Sequence, residues 1–157
     1  MKPDAGPDDA VPYFELPLKD RVVCRVGISS FIPQLRLEFW AGGQHDKWAS
    51  GPDLNLDVEG PMVIDAVDGS HNINPTEGPH PAYLHLVGAL VRQARTSRGG
   101  RLSLVFDRGV SLIVPPGALE PWKLSNDDDY LVVSIAGGGI VMSPSAELIR
   151  GDGSRVR

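Results

Sequence analysis

Leu35-Arg36-Leu37-Glu38-Phe39, followed by Leu54-Asn55-Leu56-Asp57-Val58 and Gly60-Pro61, recurs later as Leu102-Ser103-Leu104-Val105-Phe106, followed by Ser111-Leu112-Ile113-Val114 and Pro115-Pro116. Apolar residues at every second position put one face of a strand in a core. Each copy therefore reads as a hairpin, ended by proline, which cannot donate to a central ladder. An apolar strand precedes both: Val22-Val23-Cys24-Arg25-Val26 in the first copy and Ala89-Leu90-Val91-Arg92-Gln93-Ala94 in the second. A strand-plus-hairpin unit is thus used twice, over residues 21–66 and 89–116. The repeated residues are strand-forming and apolar, so they describe a core and not a reaction.

Working outward, Met62-Val63-Ile64-Asp65-Ala66-Val67 followed by Asp68-Gly69 reads as a strand and turn, and 70–81, with three prolines and two histidines, reads as loop. Tyr83, Leu84, Leu86 and Val87 fit a short helix starting at Pro81. Tyr130 to Ala136 and Ile140-Val141-Met142, joined by Gly137-Gly138-Gly139, form a closing hairpin. The expectation is a mainly β (α+β) domain of eight to nine strands and one short helix. Its architecture is a curved antiparallel sheet or a small barrel-like sandwich built from the two related units. The tails at 1–12, which combine proline, glycine and aspartate, and at 150–157 hold almost nothing to bury and are expected to fray, leaving a single domain over 13–149.

At 157 residues the chain can bury one sizeable core. Its lone cysteine, Cys24, has no internal disulfide partner and lies in an apolar strand, which points to a buried thiol in a reducing compartment. No stretch reads as a secretory signal or a membrane span, so the expected location is cytoplasmic. A formal net charge of -5 argues against nucleic acid as a partner and permits a basic protein.

Leu86 to Val91, Gly100 to Asp107, Leu112 to Pro115, the glutamate-x-tryptophan element Glu120-Pro121-Trp122, and the closing Gly137-Gly138-Gly139 follow one another in an order that resembles a family of small uncharacterised bacterial proteins. Gly60 to Ile64 and Ile73-Asn74-Pro75 are similar to that family's central segment. The resemblance spans about 20 to 143 and implies a domain of unknown function of the kind that accompanies bacterial toxin systems as an immunity gene. It supplies no catalytic residues, and the long link Ala41–Pro52 and the acidic run before Tyr130 depart from its pattern.

Enzymatic signatures are missing from the sequence: no Gly-x-Ser-x-Gly elbow, no cysteine pair, no Asp-x-Asp calcium loop, and a glycine run between strands instead of before a helix. His45 and His71 fall in expected loops, whereas His80 and His85 flank the helix at a spacing that does not put two ligands on one helix face. These histidines read as surface or capping groups, and no metal or cofactor is expected. Trp40 follows Phe39 on a strand and so faces away from the core, either exposed or beneath the Ala41–Pro52 link.

The sequence therefore points to a non-enzymatic protein-binding factor of immunity or antitoxin type, acting on a toxin or enzyme. The expected contacts are His45, Lys47 and Trp48 in the long first-hairpin link, Trp122 after the second hairpin, and the acidic run Asp127, Asp128 and Asp129. Strand edges are available for a homodimer. The alternative is a small-molecule-binding β domain holding a ligand near its tryptophans.

Overall fold

The computed structural model describes residues 14–29, 34–41, 54–117, 121–125, 131–134, 139–143, 147–150 and 155–156. The first hairpin's link, with His45, Lys47 and Trp48, and the run Asp127 to Asp129 lie outside the described residues.

The chain runs through β1 (Phe14–Glu15), β2 (Arg21–Ser29), β3 (Gln34–Ala41), β4 (Leu54–Val58), β5 (Met62–Ala66) and β6 (Gly69–Ile73). Two 3-10 turns follow, η1 (Pro75–Glu77) and η2 (Pro81–Leu86). The remaining strands are β7 (Val91–Thr96), β8 (Leu102–Phe106), β9 (Ser111–Val114), β10 (Trp122–Ser125), β11 (Leu131–Ser134), β12 (Gly139–Ser143), β13 (Glu147–Arg150) and β14 (Arg155–Val156). All pairings are antiparallel and form two sheets, of order β1-β7-β8-β9-β5-β6 and β14-β13-β12-β11-β10-β4-β3-β2. The mainly β expectation holds, as two open sheets and not a closed barrel.

Three local expectations are corrected. The stretch 70–81 is not loop throughout, because β6 pairs with β5 from Met62↔Ile73 to Ala66↔Gly69 and η1 follows. The helix at Pro81 is a 3-10 turn; the His80 ring caps it, Nδ1 accepting the Ala82 N–H at 3.0 Å. Cys24 is half-buried, its thiol donating to the Glu38 carbonyl at 3.0 Å. Beyond β12, β13 and β14 extend the larger sheet through Arg155–Val156, within the stretch read from sequence as a tail.

The duplicated units are the meanders β2-β3-β4 and β7-β8-β9, one in each sheet. Each first strand carries a bulge at the same place, between Val23 and Arg25 in β2 and between Val91 and Gln93 in β7. Immediately before it, Val23 pairs with Phe39 and Val91 with Phe106. Leu37 faces Leu56 as Leu104 faces Leu112, and Leu35 faces Val58 as Leu102 faces Val114. All of these side chains are buried in one shared core. At about 1.5–3 kcal/mol for each large apolar side chain removed from water, this lattice is the main source of stability.

The correspondence reaches further back than the hairpins. Leu18 and Leu86 are both fully buried, and each carbonyl accepts from the residue three positions on, Arg21 at 3.0 Å and Ala89 at 3.1 Å. Between them Asp20 and Gly88 both adopt positive φ, 67° and 75°. Where the units meet, Val22 and Leu90 form an antiparallel bridge. The Asp20 N–H donates to the Val91 carbonyl, and the Gly88 N–H to the Val23 carbonyl, both at 2.9 Å. Equivalent residues contacting one another reciprocally are the signature of a two-fold relation.

Candidate functional site

Trp122 is a core residue. It opens β10 opposite Val58, is 1% exposed, and donates its indole N–H to the Gly100 carbonyl at 2.8 Å. That bond joins the larger sheet to the turn between β7 and β8, as does the Gly139 N–H on the Gly99 carbonyl at 2.9 Å. Its ring offers no surface to a partner. Trp40, on the face of β3 opposite Phe39, is buried as well.

The described surface carries several ion pairs, among them Arg25 with Glu38 and Arg95 with Glu15. On the outer face of the larger sheet Arg36 grips Asp57 through both carboxylate oxygens, Nε to Oδ1 at 2.7 Å and one terminal nitrogen to Oδ2 at 3.1 Å. The Gln34 amide adds a third donor at 3.2 Å, which accounts for a carboxylate buried on a solvent-side position.

Against that background, five large apolar side chains are exposed among the described residues, and three of them line one cleft: Ile28 (42%), Leu84 (75%) and Val87 (47%). The cleft, of about 450 Å³, lies between β2 and the segment Pro79–Val87, with Val26, His80 and Tyr83 completing its wall. The 3-10 turn explains the exposure. With three residues per turn it commits Tyr83 and Leu86 to the core and turns Leu84 and Val87 outward. The Tyr83 hydroxyl is buried without a hydrogen-bond partner among the described residues, and desolvation raises its pKa above 10.0.

Beside this cleft three side chains from separate segments converge. Asp68 sits in the turn between β5 and β6, His71 on β6 opposite Ile64, and His85 in η2. His71 Nε2 lies 2.9 Å from one carboxylate oxygen of Asp68, and His85 Nε2 lies 3.2 Å from the other. The two imidazoles are stacked with centroids 6.4 Å apart, and His80 stands edge-on to His71 at 5.7 Å. The bond from His71, then that from His85, holds the Asp68 carboxyl below its ordinary value of 3.8. Asp68 links His85 to His71 of β6, a partner that the spacing of His85 from His80 does not indicate. Asp68-Gly69-Ser70-His71 at a hairpin was a local signal for half of this cluster, but His85 joins it only because η2 docks there.

The chain is thus a two-sheet antiparallel β protein with an apolar cleft and an adjoining histidine-aspartate cluster. Its sequence matches a family of unknown function, DUF6188, over residues 14–143, and it belongs to that family. No curated protein and no solved structure matches the chain. Among the described residues no helix is long and apolar enough to cross a membrane.

Proposed function

We propose that the protein is a non-enzymatic binding factor that docks a protein partner on the cleft between β2 and η2. The supporting observation is the gathering of Ile28, Leu84 and Val87 at one concave place. Scattered exposed apolar residues need no explanation, whereas a cluster around a cleft is where an apolar or aromatic anchor of a partner gains most from leaving water. A net charge of -5 favours a partner with a basic rim, which complementary charge attracts and orients. His45, Lys47, Trp48 and the run Asp127 to Asp129 are contacts proposed from sequence alone. Neutralisation of a bacterial toxin or enzyme, in the cytoplasm, is the finer form of this reading and rests on the family resemblance described above.

A second reading, a small-molecule site, draws on the same cleft. Its volume lies within the ~300–1,000 Å³ range of ligand pockets. One experiment separates the two. Tagged wild-type protein and a Leu84→Asp/Val87→Asp variant are used for capture from native lysate, with sizing and native mass spectrometry of what is recovered. A stoichiometric protein held by the wild type and lost by the folded variant is the expected result. Equal recovery by both overturns the assignment of the surface, and a bound small molecule without protein selects the second reading.

A further inference from the structure

We propose that Asp68, His71 and His85 form a binding site for a divalent transition-metal ion of the zinc class, with one coordination position left open. The group consists of two imidazole nitrogens and one carboxylate oxygen, whose ligand atoms all lie within 4.8 Å of one another. Mixed nitrogen and oxygen donors of this kind suit Zn²⁺ and its neighbours, not Mg²⁺ or Ca²⁺, which take oxygen ligands.

The distances fit that chemistry. Zinc holds nitrogen and oxygen at about 2.0–2.2 Å, so adjacent donors on a tetrahedron lie roughly 3.3 Å apart. The contacts of Asp68 with His71 and His85, 2.9 and 3.2 Å, already have that span. Only the two imidazole nitrogens need to approach one another, and the carboxylate needs to turn so that one oxygen serves both. Each Nε2 facing Asp68 is the nitrogen that would coordinate, with the ring proton carried on Nδ1.

The cluster's placement supports a ligand role over a purely structural one. Asp68 is exposed and the two histidines are half-buried, so an ion has access. For the same reason the hydrogen bonds contribute little to the fold, as exposed ion pairs generally do. The three donors come from a turn, a strand and a 3-10 segment, so bound metal would tie the β5–β6 hairpin to the element forming one wall of the cleft. The fourth position takes water or a donor from outside the chain. None of this depends on what occupies the cleft.

The test uses full-length, tag-free protein stripped with EDTA. Zn²⁺ is titrated in competition with a chromophoric chelator, and Co²⁺ is followed by its visible absorption. One ion per chain is expected, with affinity reduced at least tenfold in His71→Ala, His85→Ala and Asp68→Asn. His45→Ala should bind as the wild type does. Zn²⁺ should also raise the wild-type melting temperature, and raise that of Asp68→Asn less at the same concentration. Circular dichroism of each variant in EDTA establishes that it is folded. Wild-type affinity no greater than that of the three ligand variants, or an equal loss in His45→Ala, overturns the site.

Discussion

Replacement of Trp122 by phenylalanine isolates what its indole does. The ring is buried at the start of β10, and its N–H is 2.8 Å from the Gly100 carbonyl, so phenylalanine keeps an aromatic in place while removing the donor. A buried carbonyl left without its partner costs about 1–3 kcal/mol. The smaller ring leaves unfilled space, which by the scale of core truncations adds about 1 kcal/mol. The sum is about 3 kcal/mol. For a domain of this size each kcal/mol lowers the melting temperature by about 2–4 °C, so a fall of about 6–12 °C is expected. Differential scanning calorimetry at neutral pH measures it. A shift below about 2 °C would refute the reasoning, because it would mean that neither the bond nor the packing contributes. In the capture experiment, Trp122→Phe should retain its partner at temperatures where it is folded, whereas a contact residue would lose it.

Arg36→Ala should destabilise by about 2 kcal/mol in urea unfolding, since it strips a buried carboxylate of two donors; the figure is below that for a fully buried pair because Arg36 itself is exposed. The double variant Arg36→Met/Asp57→Leu should regain most of the loss. Gly88→Ala should cost about 1 kcal/mol, as a left-handed backbone is imposed on a side chain, while Asp20→Gly at the matching position should cost nothing measurable by the same assay. The Asp68 carboxyl, followed by NMR, should titrate below 3.8, and His71→Ala should bring it back further than His85→Ala does. Because that carboxyl is depressed on folding, the stabilisation it carries is fully present above pH 3.8 and is lost as pH falls through the lower folded value. The melting-temperature difference between metal-free wild type and Asp68→Asn, small because the carboxyl is exposed, should therefore close in acid.

The β architecture was legible because its signal is local. Leu35, Leu37 and Phe39, and their counterparts Leu102, Leu104 and Phe106, stand at every second position, and the tight turn Asp107-Arg108-Gly109 shows itself by composition; Gly109 takes φ 71° there. What the sequence hid was tertiary. β6 reads as loop because Ser70, His71 and Asn72 lack strand preference, and it is held as a strand by pairing with β5. Trp122 looked like an interface anchor because amphipathic tryptophans serve both purposes, and the acceptor that buries it, Gly100, is 22 residues away. The clustering of His85 with Asp68 depends on how a 3-10 turn docks, which no spacing rule encodes. The Leu84 and Val87 surface was read as the apolar face of a helix, an assignment that assumed 3.6 residues per turn.

The reciprocal contacts around Val22 and Leu90 have a thermodynamic consequence. Two separate copies of such a unit would meet in a second-order reaction, and their joint stability would fall on dilution. Within one polypeptide the encounter is unimolecular, at an effective concentration fixed by the connecting chain, so the paired state persists however scarce the protein becomes. Fusion also frees the halves from identity. Leu16-Pro17-Leu18 and Leu84-His85-Leu86 stand at matching positions before the bridge; both second leucines are buried, but Leu16 turns inward while Leu84 faces solvent. In a homodimer every surface change is made twice. Here one half keeps its leucine in the core, and the other has turned the same residue toward whatever the cleft receives.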